Sequence, residues 1–385
     1  MSGQIYLDHQ ATTPLDPNVL EAMQYWLSRP ANPHSMEHGW GMEAEAAVAV
    51  AREQVAGAVN GHPDGVIFTG NATEAANIVV RSFSGPDRKI VVSAIEHPCV
   101  SETARACREF GTTIQIVKVN PDGIVDLDAL AEHIDSANLV SVMAVNNEIG
   151  TVQPVEAIAS LCKESGTAFH SDAAQALGKV AVNMSAGIDF ATLSAHKVYG
   201  PPGIGAICAN RERIGELKPL VTGGGQQEGI RPGTVPVALC VGFGKACELA
   251  RARLDEEKEH CGVLSALFLE RLKQETSCFS VNGSLEERVP QNLSLSFSGI
   301  VADELIAMLP QIALSTGSAC SSGAIAPSRV LLAMELPQEV IEGSIRVGFG
   351  RTTTEEEAVE AATAIGSMVR RLRGEVDGRM TGQRS

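Results

Sequence analysis

The sequence predicts an α/β protein in which a mostly parallel central sheet carries helices on both faces and a smaller α+β unit follows. Two observations carry this. Short β-branched apolar runs alternate with helix-patterned segments from about residue 45 to 210, as strands joined by helical crossovers do. From Val235 to about Gln274 the pattern is helical, too long for one ordinary helix, and so predicts a broken helix that leaves one unit and enters the next.

Taken in order, 41–61 reads as a helix ended by Gly61, 66–70 as a short strand and 72–83 as a helix. A strand over 89–97 leads into a helix through Cys107, and a strand over 112–119 into a helix over 126–134. A strand over 138–147 precedes a helix over 155–166 ended by Gly166, and 167–172 is again a strand. Beyond the long helical region, NLSLSFSG (292–299) and SIRVGFG (344–350) read as strands, and Thr354-x-x-Glu357 is a capping box that starts a last helix. The expected division is a large unit over 15–259 and a small one over 1–14 and 260–385.

The chain has 385 residues, 44% hydrophobic and 20% charged, ordinary values for a soluble globular protein. Its formal net charge of −16 argues against a direct nucleic-acid partner, which needs clustered Lys and Arg. The basic residues Arg370, Arg371, Arg373, Arg379 and Arg384 read as a solvated end. No run of about 18 apolar residues exists, so no membrane span is expected. Residues 1–10 lack a signal pattern, with Asp8 where an apolar core should be, so the expected location is the cytoplasm. The nine cysteines are scattered, with no C-x-x-C pair, which predicts reduced core residues and neither a disulfide scaffold nor a zinc site. His34 and His38 have a helical metal-pair spacing, but no metal role is expected of them.

The chemistry collects where open α/β sheets bind ligands, beyond the carboxyl ends of the strands. Lys197 stands in TLSAHKVYGPPGIG (192–205), framed by Ser194, His196 and a run of Gly and Pro. A lysine amine forms a Schiff base with an aldehyde, and pyridoxal phosphate is the aldehyde most enzymes hold this way. An isolated lysine is more often a surface residue in a turn, so its neighbours decide. His97, Asn147 and Asp172 close predicted strands, and Gln175 follows Asp172. After VIFTG, Asn71, Ala72 and Thr73 open a helix whose free N–H groups suit a phosphate. Each has a plainer reading: Asp172 and Thr73 as helix caps, His97 as a structural residue. Together they offer what pyridoxal phosphate needs: an anchor, a phosphate cradle, a carboxylate for the ring nitrogen and an imidazole over the ring.

In these residues the chain resembles the cysteine desulfurases, in the class V aminotransferase group of fold-type I pyridoxal-phosphate enzymes. The resemblance runs from YLDHQATTPLDPNVLEAM (6–23) to GRTTTEEE (350–357). It includes ANPHS (31–35), ATEAAN (72–77), EHPCV (96–100), NNEIGTVQP (146–154), HSDAAQALGK (170–179), GGGQ (223–226), RPGT (231–234) and GSACSS (317–322). It implies a homodimer. Lys197 would carry the cofactor, pyridoxal 5'-phosphate. His97 would stack on its ring and move protons, Asp172 would pair with its nitrogen, Gln175 would bond its ring hydroxyl, and Asn147 would contact ring or substrate. Ala72, Thr73, Ser194 and His196 would hold the phosphate, with Thr234 reaching in from a second subunit. Arg346 and Asn32 would hold the substrate carboxylate.

Cys320 selects the reaction. STGSACSSGA (315–324) surrounds one thiol with small residues and reads as a mobile loop. In the family such a cysteine takes the sulfur of L-cysteine as a persulfide, releases L-alanine and hands the sulfur to an acceptor protein. The acceptor would be an iron–sulfur scaffold or a protein of tRNA or DNA thiolation. Two other readings stand beside this one: another class V enzyme, an aminotransferase or selenocysteine lyase, and a non-enzymatic scaffold with a degraded site. The sequence departs from the family at Asn71, where Gly is usual, and at Gln227 and Glu228, where Glu and Arg are usual. The carboxyl tail 374–385 lacks the segment by which scaffold-binding members dock.

Overall fold

The structure, a computed structural model, describes residues 4–316 and 327–375. Its first part runs β1 (Ile5–Tyr6), α1 (Pro17–Leu27), α2 (Gly39–Ala58), β2 (Val66–Thr69), α3 (Ala72–Ser82), β3 (Lys89–Ser93), α4 (Pro98–Cys107) and β4 (Thr113–Val117). Then come α5 (Leu127–Ile134), β5 (Leu139–Ser141), α6 (Val155–Ser165), β6 (Ala168–Asp172), β7 (Phe190–Ser194), β8 (Gly205–Ala209), α7 (Val237–Ala252) and α8 (Leu254–Glu275). The remainder holds β9 (Phe279–Val281), β10 (Asn292–Phe297), α9 (Ala302–Ala307), β11 (Ile312–Ala313), α10 (Arg329–Ala333), α11 (Gln338–Glu342), β12 (Ser344–Gly348) and α12 (Glu355–Leu372).

Seven strands form the central sheet in the order β2-β8-β7-β6-β5-β3-β4. The β7-β6-β5-β3-β4 portion is parallel, and β8 runs antiparallel to both its neighbours. Alternation along the strands sends side chains into two cores. Val91, Val140, Phe169 and Ala191 pack with α2, α5, α6 and α7. Ile90, Val92, Leu139, Ala168 and Phe190 pack with α3 and α4 on the other face. The sheet is therefore mostly parallel with helices on both faces, as the alternation predicts.

A separate apolar core joins Ile5 and Leu7 to α8, β10, β12 and α12. Here β9, β10 and β12 form an antiparallel sheet and β1 pairs with β11. The long helical region breaks at Arg253, between α7 and α8. The capping box of α12 is formed in both directions: Glu357 N donates to Thr354 Oγ1 at 3.2 Å and Thr354 N to Glu357 Oε2 at 2.9 Å.

Several boundaries differ from the sequence expectation, each for a local reason. The strand expected over 138–147 pairs as β5 only to Ser141. Asn146 then folds the chain over, its Oδ1 accepting from Glu148 N and Ile149 N. The strand expected over 89–97 stops at Ser93, and Pro98, with no N–H to donate, opens α4 with His97 as its cap. The helix expected over 41–61 begins at Gly39, capped by His38 Nδ1, and ends at Ala58, before Asn60 enters the left-handed region (φ 50°).

Eight cysteines lie among the described residues, all unpaired, and seven of them are buried. Burial pushes the thiols of Cys162, Cys208 and Cys261 up to about 12, as expected of inert core filler. No helix among the described residues is long and apolar enough to cross a membrane.

Candidate active site

The carboxyl ends of β5, β6 and β7, the start of α3 and one residue of β12 surround a cavity of about 300 Å³. Ten of the residues selected from sequence line it. They are Ala72, Thr73, His97, Asn147, Asp172, Gln175, Ser194, His196, Lys197 and Arg346.

Lys197 ends a single helical turn that follows β7. Its Nζ donates to the carbonyl oxygens of Gln10 and Ala11, each at 2.6 Å, so the amine is aimed before any ligand arrives. Asp172 is the last residue of β6 and 4% exposed. Its Oδ1 accepts from Ala174 N at 3.0 Å, while Oδ2 lies 3.6 Å from Cys99 Sγ. Behind it His170 is enclosed between Ser141 Oγ (2.8 Å) and Thr192 Oγ1 (3.1 Å), bracing β5, β6 and β7. Burial lowers the His170 pKa to about 4, so the ring is neutral.

His97 caps α4: its Nδ1 accepts from Cys99 N at 3.2 Å, which leaves the proton of the neutral ring on Nε2. Burial lowers its pKa, the Asp172 carboxylate opposes that shift, and the Lys197 amine adds to it. His97, Cys99 and Asp172 each place a ligand-type atom within 4.8 Å of the others, so this cluster belongs to the cavity itself. Next to His97, Glu96 is buried, with Oε1 accepting from Ser93 Oγ (2.5 Å) and Met143 N (2.8 Å). Burial raises its pKa to about 8 and keeps it protonated at neutral pH.

The phosphate end is the amino terminus of α3. Asn71, not Thr73, is the cap, its Oδ1 accepting from Glu74 N at 2.8 Å. Asparagine in place of glycine therefore uses one of the free helix N–H groups and leaves those of Ala72 and Thr73 at the cavity. Gly205 permits this approach, since a Cβ there would sit 2.6 Å from the Asn71 carbonyl carbon and 2.9 Å from Ala72 N. His196 Nδ1 lies 3.1 Å from Thr12 Oγ1, and burial followed by the Lys197 charge lowers its pKa to about 4.

At the opposite end Arg346 enters from β12. It is 4% exposed and donates to Asp8 Oδ1 (2.8 Å) and Asn147 O (2.9 Å), while its buried Nε has no partner among the described residues. Asn32 does not line the cavity. It is exposed, and its Oδ1 accepts from His34 N at 3.1 Å, the local turn chemistry of asparagine. Thr234 is exposed and also outside this chain's own cavity. Cys320 lies outside the described residues.

Sequence reading missed Gln10 and Ala11, whose carbonyls hold Lys197, and Asp8, which holds Arg346. All three sit in YLDHQATTP, ahead of the β–α alternation and with no strand pattern to draw attention to them. It also missed Cys99, whose only signal was its place two residues after His97.

Comparison with known proteins decides the family. The Aminotransferase class-V family matches residues 5–361. A "Cysteine desulfurase IscS" of Rickettsia africae (strain ESF-5) is 41% identical over 376 residues, covering 96% of this chain and 92% of its own. The chain belongs to the cysteine desulfurase family. Among solved structures, a "NifS-like protein" superposes with a TM-score of 0.88 at 33% identity, covering 95% of this chain and 99% of its own. "SspA in complex with cysteine" does so with a TM-score of 0.80 at 32% identity, covering 91% and 100%. Both agree with the mostly parallel, helix-covered sheet.

The cofactor of this desulfurase family is pyridoxal 5'-phosphate, and the cavity's donor set fits it. An aimed amine, a buried carboxylate, an imidazole and a helix start made accessible by Gly205 converge on one space. Arg346 Nε, buried without a partner, leaves donor capacity for an anion there.

Proposed function

We propose that this chain is a pyridoxal-phosphate-dependent cysteine desulfurase that converts L-cysteine to L-alanine, receives the sulfur on Cys320 and passes it to an acceptor protein. The observation that carries the reading is the meeting of Lys197, Asp172, His97 and the α3 start in one cavity with Arg346 at its far end.

Bound pyridoxal phosphate supplies an electron sink for charge released at the amino acid's Cα. Lys197 holds the cofactor through its amine, and Ala72, Thr73, Ser194 and His196 receive its phosphate, with Thr234 of a second subunit. Asp172 keeps a proton on the ring nitrogen. Its own position is set by Ala174 N and Cys99 Sγ. His97, held neutral by burial, takes and returns protons, and Asn147 and Gln175 orient the ring. Arg346 grips the substrate carboxylate with its planar fork. At Cys320 the substrate's C–S bond breaks, an S–S bond forms, and the proton leaves with alanine. Sulfur transfer between the two thiols is balanced without an external oxidant.

The separate apolar cores support division into units over 15–259 and over 1–14 with 260–385. We place the working enzyme in the cytoplasm as a homodimer, with an iron–sulfur scaffold or a tRNA- or DNA-thiolation protein as acceptor. The test is turnover of the purified holoenzyme with L-cysteine. Alanine is released, and Cys320→Ala keeps the cofactor but loses turnover. Full turnover by Cys320→Ala under mild reductant would remove the persulfide role. Amino transfer that depends on a keto acid and outpaces alanine release would point to an aminotransferase.

A further inference from the structure

The turn after Asp172 carries a second lysine that the reaction above does not use. Ala176 N and Leu177 N bond to Ala173 O, and Lys179 N and Val180 N to Ala176 O, making one helical turn. Gly178 ends it in the left-handed region (φ 74°), and a Cβ there would lie 2.8 Å from Val198 Cγ2. The turn is thus pressed against the residue that follows Lys197, and it directs Lys179 into the interior, where it is 5% exposed.

Among the described residues the Lys179 amine makes one hydrogen bond, to Gln175 Oε1 at 2.9 Å. Burial, then the Lys197 charge, pull its pKa down to about 7. Glu257 and Cys261 oppose this, and Arg346 adds to it. An amine is costly to keep in such a place, and a methionine would fill similar space without that cost. What methionine cannot do is orient a carboxamide. The two ends of Gln175 are nearly the same shape and differ only in donor and acceptor. Gln10 O can only accept, and it takes Gln175 Nε2 at 2.9 Å, while the Lys179 amine donates to Oε1. Between these two posts the amide has one orientation. Gln10 O also accepts from Lys197 Nζ at 2.6 Å, so the two lysines are joined through one carbonyl and one side chain.

We infer that Lys179 is a positioning residue for the cofactor: it locks Gln175 so that the amide presents N–H, not C=O, to the cavity and to the cofactor's ring hydroxyl. The inference rests on the pyridoxal-phosphate reading of the site.

The test uses Lys179→Met, Gln175→Leu and the double variant, each with three measurements. These are the dissociation constant for pyridoxal phosphate, the pH midpoint of the bound cofactor's absorption band, and the melting temperature of the apoprotein. Lys179→Met is expected to weaken cofactor binding about tenfold and displace the band midpoint. Its apoprotein should melt close to wild type, because the cost of burying an amine is removed while Gln175 Oε1 loses its donor. Gln175→Leu, which deletes the presented donor directly, displaces the midpoint in the same way, and the second change adds nothing to the first. A wild-type midpoint and affinity in either single variant overturns the inference, as do fully additive effects in the double variant. A wild-type protein that takes up no pyridoxal phosphate overturns the cofactor reading and this inference with it. A wild-type protein that binds it, beside an indifferent Lys179→Met, overturns this inference alone.

Discussion

The two ends of the cavity are built differently. At the cofactor end, Asp172 and Lys197 lie on or just beyond neighbouring strands of one sheet, and the Ser141–His170–Thr192 chain ties those strands together from behind. At the carboxylate end, Arg346 comes from a strand whose own core is a different one, and Asp8 and Asn147 O hold it in place. The first end is built mainly on one sheet, with the Gln10 and Ala11 carbonyls reaching in to hold Lys197. The second depends on how two cores meet. Loss of a group at the cofactor end should therefore affect chemistry, and loss at the other end should affect binding and stability together.

The largest effect expected is at Lys197. Lys197→Ala should reduce alanine release to the uncatalysed background while leaving the circular dichroism spectrum and melting temperature close to wild type. A coincident collapse of the fold would break the contrast. Arg346→Ala should lower kcat/KM for cysteine about 100-fold, mostly through KM, because a charge-assisted fork is lost. It should also destabilise the protein by roughly 1–3 kcal/mol, because the partly buried Asp8 loses its partner. Denaturant unfolding followed with and without cysteine separates the two effects.

Acid sharpens the comparison. An unfolded histidine takes a proton near pH 6.5, whereas His170 resists until about 4. The unfolded chain therefore binds the proton first. Stability is full above pH 6.5 and falls by on the order of 3 kcal/mol as pH drops from there to about 4. His170→Asn should flatten the slope of unfolding free energy in that window. An unchanged slope would show that the brace behind Asp172 is not the acid-sensitive element. The smallest effect is at the cap of α3. Asn71→Ala should cost about 1 kcal/mol, and Asn71→Gly only a few tenths, with pyridoxal-phosphate affinity at least as high in the glycine variant. Paired melting and cofactor titrations read this out.

Much of this was legible in the sequence. Lys197, Asp172 and His97 could be read because strand ends and short polar motifs are local signals, and the α/β alternation said which ends would meet. The Lys179–Gln175–Gln10 chain was hidden because it joins segments 165 residues apart, and a lysine after Gly178 looks like any turn lysine. Asp8 was seen only as a charge that spoils a signal peptide. β5 was overdrawn because an apolar run does not reveal where a carboxamide such as Asn146 will reverse the chain. The departure at Gln227, where Glu is usual, lies inside the protein. Gln227 is buried in the left-handed region (φ 48°), its Oε1 accepting from Phe68 N at 2.7 Å and its Nε2 donating to Phe68 O at 2.8 Å.

That contact has a consequence of its own. Phe68 is on β2, the outermost strand at one side of the central sheet, where a row of unpaired amides would invite another chain to add itself. A carboxamide can donate and accept at once and so stands in for the missing neighbour. A carboxylate could only accept. At that margin one side chain takes the place of one residue of a neighbouring strand and closes the Phe68 amide and carbonyl to any other chain.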